Sequence, residues 1–330
     1  MKKIYFIIFL SFLSACSEDK RVENDNDLLQ ITFATDWKAQ AEQGGFYQAL
    51  ASGKYLEKGL DVKIIQGSAN INIPRLLASS SIDFGMGSNS FIPMNMVANN
   101  IPGKAVMAVF QKDPQIIMTH GDNNINSIDD IKDLPIMIAD ASIGGFWLWL
   151  KSKYNFNDSQ IRKKTISLAP FLKDVSAIQQ GYLTSEPYLF EQITGQQPKV
   201  FLMADYGYPS YGAMILASNK MITENPDIVQ DFVDASIDGW VEYIYGDPSL
   251  GNQLILSENN EMTEAVLFQA IKKIREYNMI SNEVLLGKNI GTMSDKKWND
   301  FFTIMAENNV YDKTLNWKEA YTLDFIKEGN

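Results

Sequence analysis

The sequence predicts a mixed α/β fold of two lobes, one of them inserted into the other. Three observations carry that expectation. From Gln30 onward, short apolar or alternating runs are separated by helix-spaced segments, the pattern of strand–helix–strand units in a sheet covered by helices. The 330 residues contain 45% hydrophobic side chains, enough for two lobes of ordinary size. The order of the elements assigns residues 30–112 and 216–330 to lobe 1 and residues 113–215 to lobe 2, with two chain crossings as a hinge beside a cleft.

Residues 1–15 read as an address rather than as part of the fold. Lys2 and Lys3 precede the apolar run Ile4–Leu13, and Leu13-Ser14-Ala15-Cys16 follows. A positive start, a short apolar stretch and small residues before a cut site describe a secretory signal, too short to span a bilayer as a mature helix. Leu-Ser-Ala-Cys resembles a bacterial lipobox, which implies acylation of Cys16 and a membrane association through lipid alone. Residues 16–29 are polar and charged, and read as a flexible tether.

Within the body, Ile31–Ala34 is a strand and Phe46–Leu56 a helix, broken at Gly53 and closed at Gly59. Leu60–Ile64 alternates as a strand, Ile73–Ala78 is a short helix and Ile82–Met86 the next strand. A helix through Met94, Met96 and Val97, then a strand over Ala105–Phe110, complete the first series. In the second, Ser127–Ile131 is a capped helical turn, Pro135–Ala139 a strand and Phe146–Lys153 a helix. Lys164–Leu168 reads as a strand, Val175–Gln180 as a short helix, and Tyr182–Tyr188 as a strand ending in a Glu-Pro turn. After the strand Met214–Ala217, a long helix opens at Asn225-Pro226 and stops at Gly246. It keeps Val229, Phe232, Val233, Ile237, Trp240 and Ile244 on one face. Helices over Glu261–Asn278 and Asp295–Glu307 follow.

Lys and Arg number 29 against 40 Asp and Glu, a formal charge of −11 with no basic stripe, so nucleic acid is not an expected partner. One cysteine and one histidine exclude a disulfide framework and a Cys/His zinc site. Cys–His and Ser–His catalysis go with them, unless His120 alone served as base. His120, in a Gly-Asp-Asn-Asn loop, is expected to be exposed. No cofactor or metal is expected, although an all-carboxylate metal site stays open. Hydrogen bonding and aromatic stacking are the chemistry this chain has to offer.

Asp36-Trp37, the GxYxAxxxGxYxxxGLDV pattern from Gly45 to Val62, and Ser81-Ile82-Asp83-Phe84-Gly85 resemble the opening of a known superfamily. It comprises periplasmic solute-binding proteins that deliver thiamine pyrimidine precursors, nitrate, sulfonates or taurine to ABC transporters (SsuA/THI5-like). Ala177–Tyr188 is similar to the segment entering that family's second-lobe Glu-Pro turn. The resemblance covers 30–260 in order. It implies the type II periplasmic-binding-protein fold, closing about a two-segment hinge near 112 and 215.

The nearest subgroup binds pyrimidine precursors of thiamine, and its relatives bind flavin-like rings. There the tryptophan stacks on the ring and a second-lobe carboxylate hydrogen-bonds its nitrogens, which implies those roles for Trp37 and Glu186. The subgroup's proline, asparagine and histidine after Asp-Trp are replaced here by Lys38-Ala39-Gln40-Ala41-Glu42-Gln43-Gly44. The superfamily also holds an enzyme that makes the pyrimidine from its own histidine and pyridoxal phosphate. Where that enzyme needs its lysine and histidine this chain has Gly87 and Phe91, and no cysteine-rich stretch follows, so the chain is expected not to be an enzyme.

The candidate ligand contacts are Asp36 and Trp37 past the first strand, and Ser88 and Asn89 in a strand-to-helix turn. Across the cleft they are Ser142, Gly144 and Gly145 before the Phe146 helix, and Tyr182, Glu186 and Tyr188 near the second crossing. Plainer readings stand beside them: lobe packing for Trp37, capping for Ser88, Asn89 or Glu186, and a bare turn for the glycine pair. Trp147 and Trp149, two apart on a helix, face different sides, so at most one lines the cleft. Tyr206, Tyr208 and Tyr211 suggest an aromatic wall at the return crossing. No lysine or arginine lies in the loops at Ser88 and Ser142, which favours a neutral or cationic ring over an anion.

The resemblance therefore implies a lipid-anchored, monomeric solute-binding component of an ABC importer at the periplasmic or extracellular face of a bacterial envelope. Its partners would be permease and ATPase subunits, and its solute a thiamine pyrimidine precursor or similar planar heterocycle. A sulfonate-, taurine- or nitrate-binding component is the alternative, and a lipid-anchored sensory lobe without transport is a third.

Overall fold

The computed structural model describes residues 28–68, 71–165, 167–280 and 290–326. The expected signal segment, Cys16 and nearly all of the tether lie outside the described residues. The strands are β1 (Leu29–Ala34), β2 (Leu60–Ile65), β3 (Phe84–Asn89), β4 (Gly103–Phe110), β5 (Gln115–Thr119), β6 (Ile136–Ile138), β7 (Ile161–Lys163), β8 (Ile178–Tyr182), β9 (Lys199–Leu202) and β10 (Gly212–Ser218). The first helices are α1 (Gly44–Ala51), α2 (Lys54–Glu57), α3 (Ile73–Ala78), α4 (Phe91–Ala98), α5 (Asp140–Ile143), α6 (Phe146–Tyr154) and α7 (Ala169–Lys173). They are followed by α8 (Glu186–Thr194), α9 (Asn219–Glu224), α10 (Pro226–Tyr245), α11 (Ser249–Glu258), α12 (Glu264–Glu276) and α13 (Asp295–Glu307).

Two five-stranded sheets form, in the orders β2-β1-β3-β10-β4 and β7-β6-β8-β5-β9. In the first, β1 is parallel to β2 and β3, while β10 is antiparallel to β3 and β4. In the second, β5 is antiparallel to β8 and β9, and β6 is parallel to β7 and β8. The chain passes from the first sheet to the second between Phe110 and Gln115, and returns between Leu202 and Gly212. The boundary expected at 215/216 therefore falls inside β10. Gly212, which lacks the apolar bulk that marks Met214–Ala217, already pairs with the first sheet, as do Met214 and Ile215.

Lobe 1 is held by an aromatic ladder between sheet and helix. Phe232 on α10 stacks on Phe84 at 4.2 Å and on Tyr55 at 5.0 Å, and meets the edge of Phe33 at 5.4 Å. The apolar stripe read from the sequence is thus the face that α10 buries. Gly45 lets α1 reach it: a Cβ there would lie 2.1 Å from the Trp240 ring. The first glycine of the motif is a packing residue.

The second lobe departs further from expectation. Val175–Gln180 contains no helix; Ile178–Tyr182 is β8, a central strand with β6 and β5 on either side. Its two glutamines hide the strand from composition, yet Gln179 and Gln180 are both buried, and Gln180 has its amide satisfied internally. The strand expected over 164–168 lies at Ile161–Lys163 instead, and Tyr182–Tyr188 is a strand end, a turn and the start of α8 rather than a strand. Pro187 sits in the first turn of α8, where its missing N–H is harmless. The sequence reading does not anticipate β5, β9, α5, α7, α9 or α11.

His120 is a correction as well. It is buried rather than exposed, because the unpredicted β5 carries the chain inward just before it. Its Nε2 donates to the Phe171 carbonyl at 2.8 Å, and its ring stacks on Phe171 at 4.5 Å. Trp147 and Trp149 are both in the core, and the Trp147 indole N–H donates to Asp158 at 2.9 Å.

Candidate functional site

Both sheets turn the same kind of edge toward each other. The carboxyl ends of β1 to β4 lie on one side of the first sheet, the side from which the chain leaves for β5. In the second sheet the amino end of β5 lies beside the carboxyl ends of β6, β7 and β8. Segments following those strands therefore line the gap, as ligand sites in open α/β sheets do.

From β1, the chain turns at Thr35, whose hydroxyl donates to the Trp37 carbonyl at 2.7 Å and accepts from the Gly67 N–H at 3.2 Å. This fixes Asp36 and Trp37 past the strand end. Trp37 is half-buried and makes no ring contact with another aromatic side chain among the described residues. Asp36 is also half-buried by area, but its carboxyl is pushed up by burial, against the pull of donors on Ser88 and Gln43. The Gln43 amide nitrogen lies 3.1 Å from it. A side chain with accessible area and a desolvated carboxyl faces an enclosed space, here the gap between the lobes.

Ser88 and Asn89 are not in a turn: they are the last residues of β3. Ser88 serves Asp36, and the Asn89 side-chain Oδ1 accepts from the Phe91 N–H at 3.1 Å. The expected helix start lies two residues later than Asn89. Ser90, just before it, bonds to the return crossing. There, the Ser90 N–H donates to Ser210 at 3.1 Å and its hydroxyl accepts from the Tyr211 N–H at 2.9 Å.

Lobe 2 answers from three strand ends. Tyr182 closes β8, and its phenol is held well above its ordinary range by burial, with Asp113, Asp36, Glu42 and Glu186 all adding to the effect. Four carboxylates from both lobes thus share one neighbourhood. Glu186, the first residue of α8, accepts the Tyr182 N–H at 2.8 Å with one oxygen and the Lys164 ammonium at 2.5 Å with the other. That lysine follows β7, so a cation does reach the edge from outside the two loops considered in the sequence. Tyr188 is half-buried further along α8, and its phenol makes no hydrogen bond among the described residues. Ser142 sits inside α5 and accepts from the Gln180 amide at 2.6 Å. Gly144 is exposed with open space where a Cβ would stand, whereas Gly145 is buried, 3.7 Å by the same measure from the Phe91 ring of lobe 1.

Several residues at this place were not singled out in the sequence. Glu42, on a single 3-10 turn over Ala41–Gln43, is buried, and its carboxyl is raised by burial with Glu186 and Asp36 contributing. The Thr184 hydroxyl of lobe 2 donates to it, and Gln269 on α12 in turn donates to the Thr184 carbonyl. This is a direct bond between the lobes. Asp113, in the first crossing, is pushed up to about 7 by burial, with donors at Gln115 and Ser210 and the Lys297 charge opposing. Lys297 itself, brought down to about 8 by burial, donates to the Gln111 carbonyl and stands 4.0 Å over the Tyr211 ring. The three tyrosines of the return crossing do not make one wall. Tyr211 packs on Trp298 and Tyr206 on Phe201, while Tyr208 packs on Trp149 with its phenol near Asp113 and Tyr182. The only local signal for Glu42 was its place in a short polar segment just after Asp-Trp. No group of three or more His, Cys, Asp or Glu able to hold a metal ion occurs among the described residues, and no described helix is long and apolar enough to cross a membrane.

A family model described as NMT1/THI5 like matches residues 40–249, more than half of the chain. The riboflavin-binding protein RibY of Chloroflexus aurantiacus is 22% identical over 314 residues, covering 92% of this chain and 88% of that protein. The formylaminopyrimidine-binding protein of Halalkalibacterium halodurans is 22% identical over 286 residues, covering 84% of each. The crystal structure of the periplasmic aliphatic sulphonate binding protein SsuA from Escherichia coli matches with a TM-score of 0.66 at 14% identity, covering 89% of this chain and 92% of that one. The architecture is the two-lobed periplasmic-binding-protein fold.

Proposed function

The chain belongs to the NMT1/THI5-like family, and on that premise we propose that it is the solute-binding component of an ABC importer for a planar nitrogen heterocycle. A thiamine pyrimidine precursor comes first and flavin-like rings next. The observation that carries this reading is the meeting of Asp36 and Tyr182, from opposite lobes, in one desolvated gap with half-buried Trp37 next in the chain. Trp37 offers an indole face without an aromatic partner, and the groups around it are rich in acceptors for ring-bound N–H. The ligands in the two relatives' names, riboflavin and a formylaminopyrimidine, are both nitrogen heterocycles, which agrees with it.

A sulfonate, taurine or nitrate is favoured by one observation, the Lys164 ammonium at the cleft edge. Glu186 already holds that ammonium at 2.5 Å, and three further carboxylates share the neighbourhood, so an anion meets net repulsion. Catalysis of the pyrimidine-forming kind has no support in the side chains: Gly87 lies within β3, and Phe91 opens α4 and packs on Phe301 at 4.8 Å. The remaining parts of the reading are a lipid on Cys16, a place at the periplasmic or extracellular face, a monomeric state, and permease and ATPase partners. They rest on the lipobox and on the family.

Calorimetric titration of the soluble body with aminopyrimidines, riboflavin, alkanesulfonates, taurine and nitrate tests the proposal. A ring should bind, and Trp37→Ala should weaken it by about 1–3 kcal/mol through lost area and stacking. Tight binding of taurine or nitrate that survives Trp37→Ala would replace this reading with the anion one.

A further inference from the structure

We infer that Asp36, Glu42 and Gln43 form a subsite for a positively charged amino group carried by the ligand, which makes Glu42 a determinant of specificity. The inference rests on the heterocycle reading above and narrows it to rings bearing a cationic arm.

The three side chains offer almost nothing but acceptors. Gln43 is buried, with its amide nitrogen spent on Asp36 at 3.1 Å. The carbonyl oxygen on the same planar amide has no hydrogen-bond donor. A buried amide oxygen left without a donor is unfavourable, and it stands here beside a carboxylate rather than in an apolar core. Asp36 and Glu42 receive hydrogen bonds only from neutral groups: Ser88, Gln43 and the backbone N–H groups of Asp36 and Trp37 for the one, Thr184 and the Glu42 backbone N–H for the other.

The surrounding charges do not balance them. Lys164 is held by Glu186 at 2.5 Å, and Lys297 lies at the hinge, where it opposes Asp113. The other titratable groups facing Glu42 are the phenols of Tyr182 and Tyr243, both desolvated and neutral. Two carboxylates therefore share a low-dielectric space without a counter-charge, and burial raises the proton affinity of both. A neutral N–H donor would satisfy lone pairs but leave the charge. A primary ammonium, with three donors and one positive charge, answers both carboxylates and the orphan carbonyl together.

Linkage gives this a signature. A cation placed against carboxyls that hold protons too tightly lowers their proton affinity, so binding releases protons, and more of them as the solution is acidified. A neutral ligand releases fewer.

The probes are a 4-aminopyrimidine with an aminomethyl arm and the same ring with a hydroxymethyl arm. Both are titrated calorimetrically near pH 5.5 and near pH 7.5, in buffers of different ionisation enthalpy, with the wild-type chain and with Glu42→Gln. The ammonium probe should bind at least about tenfold more tightly than the hydroxymethyl probe, and should release protons at the lower pH. Glu42→Gln should abolish that preference, so that the two probes bind within about twofold of each other. Equal affinity for the two probes, without proton release in the wild-type chain, overturns the subsite and leaves the heterocycle reading intact. Failure of both rings to bind overturns both. The proton count needs no variant, so it decides the matter even if Glu42→Gln folds poorly.

Discussion

The two lobes line the same cleft with opposite electrostatic habits. Lobe 2 neutralises its own carboxylate: Glu186 and Lys164 are each only 16% exposed and are paired at 2.5 Å. Lobe 1 presents Asp36 and Glu42, desolvated and served by neutral donors alone. The glycines differ in the same direction. Gly45 is wedged against Trp240, whereas Gly144 fronts open space. Lobe 1 is thus a tightly packed scaffold whose polar edge is left incomplete, and lobe 2 is a self-satisfied surface facing it.

Four changes test that contrast. Gly45→Ala forces a methyl to within 2.1 Å of the Trp240 ring, and should destabilise the chain by about 3 kcal/mol, read as a lowered denaturant midpoint. Lys164→Met strips Glu186 of its partner and makes lobe 2 resemble lobe 1. The expected loss is about 2–3 kcal/mol near neutral pH, read as a lowered denaturant midpoint. Asp113 sharpens the comparison at the hinge. Its folded value of about 7 exceeds the ordinary 3.8, so the folded chain binds the extra proton between those limits. Stability from this group is full below the lower limit and declines as pH rises toward the upper one, and Asp113→Asn should remove that slope from denaturation series across the range. Gly144→Ala should change stability by less than about 0.5 kcal/mol; a larger loss would show that lobe 2 packs there as tightly as lobe 1.

Legibility in the sequence follows the same division. In lobe 1, α10 announced itself by an unbroken apolar stripe from Val229 to Ile244, and β1, β2 and α3 by clean alternation and punctuation. Period and burial agree there, so local pattern suffices. In lobe 2, β8 carries Gln179 and Gln180 at its centre, and nothing local reveals that the Gln180 amide has partners or that two strands flank it. Tertiary pairing overrode composition. Asp36 and Trp37 could be picked out because they follow a strand, and Tyr182 because it lies near the second crossing in the segment similar to the family's Glu-Pro turn. Glu42, Gln43 and Thr184 could not, since their chemistry arises only when residues 142 positions apart are brought to one bond.

The inserted topology also sets an order in time. The second sheet is built from one unbroken stretch, β5 through β9, so its contacts need only modest loop closure. The first sheet and its ladder need both flanks: Phe84 and Tyr55 find Phe232 only after everything between has been made. Long-range contacts of that kind form slowly. As the chain emerges vectorially, lobe 2 is complete while β1 to β4 still wait for α10, with Phe33, Phe46 and Phe84 uncovered. The interval before that helix arrives is when this molecule is most exposed to aggregation and to chaperones.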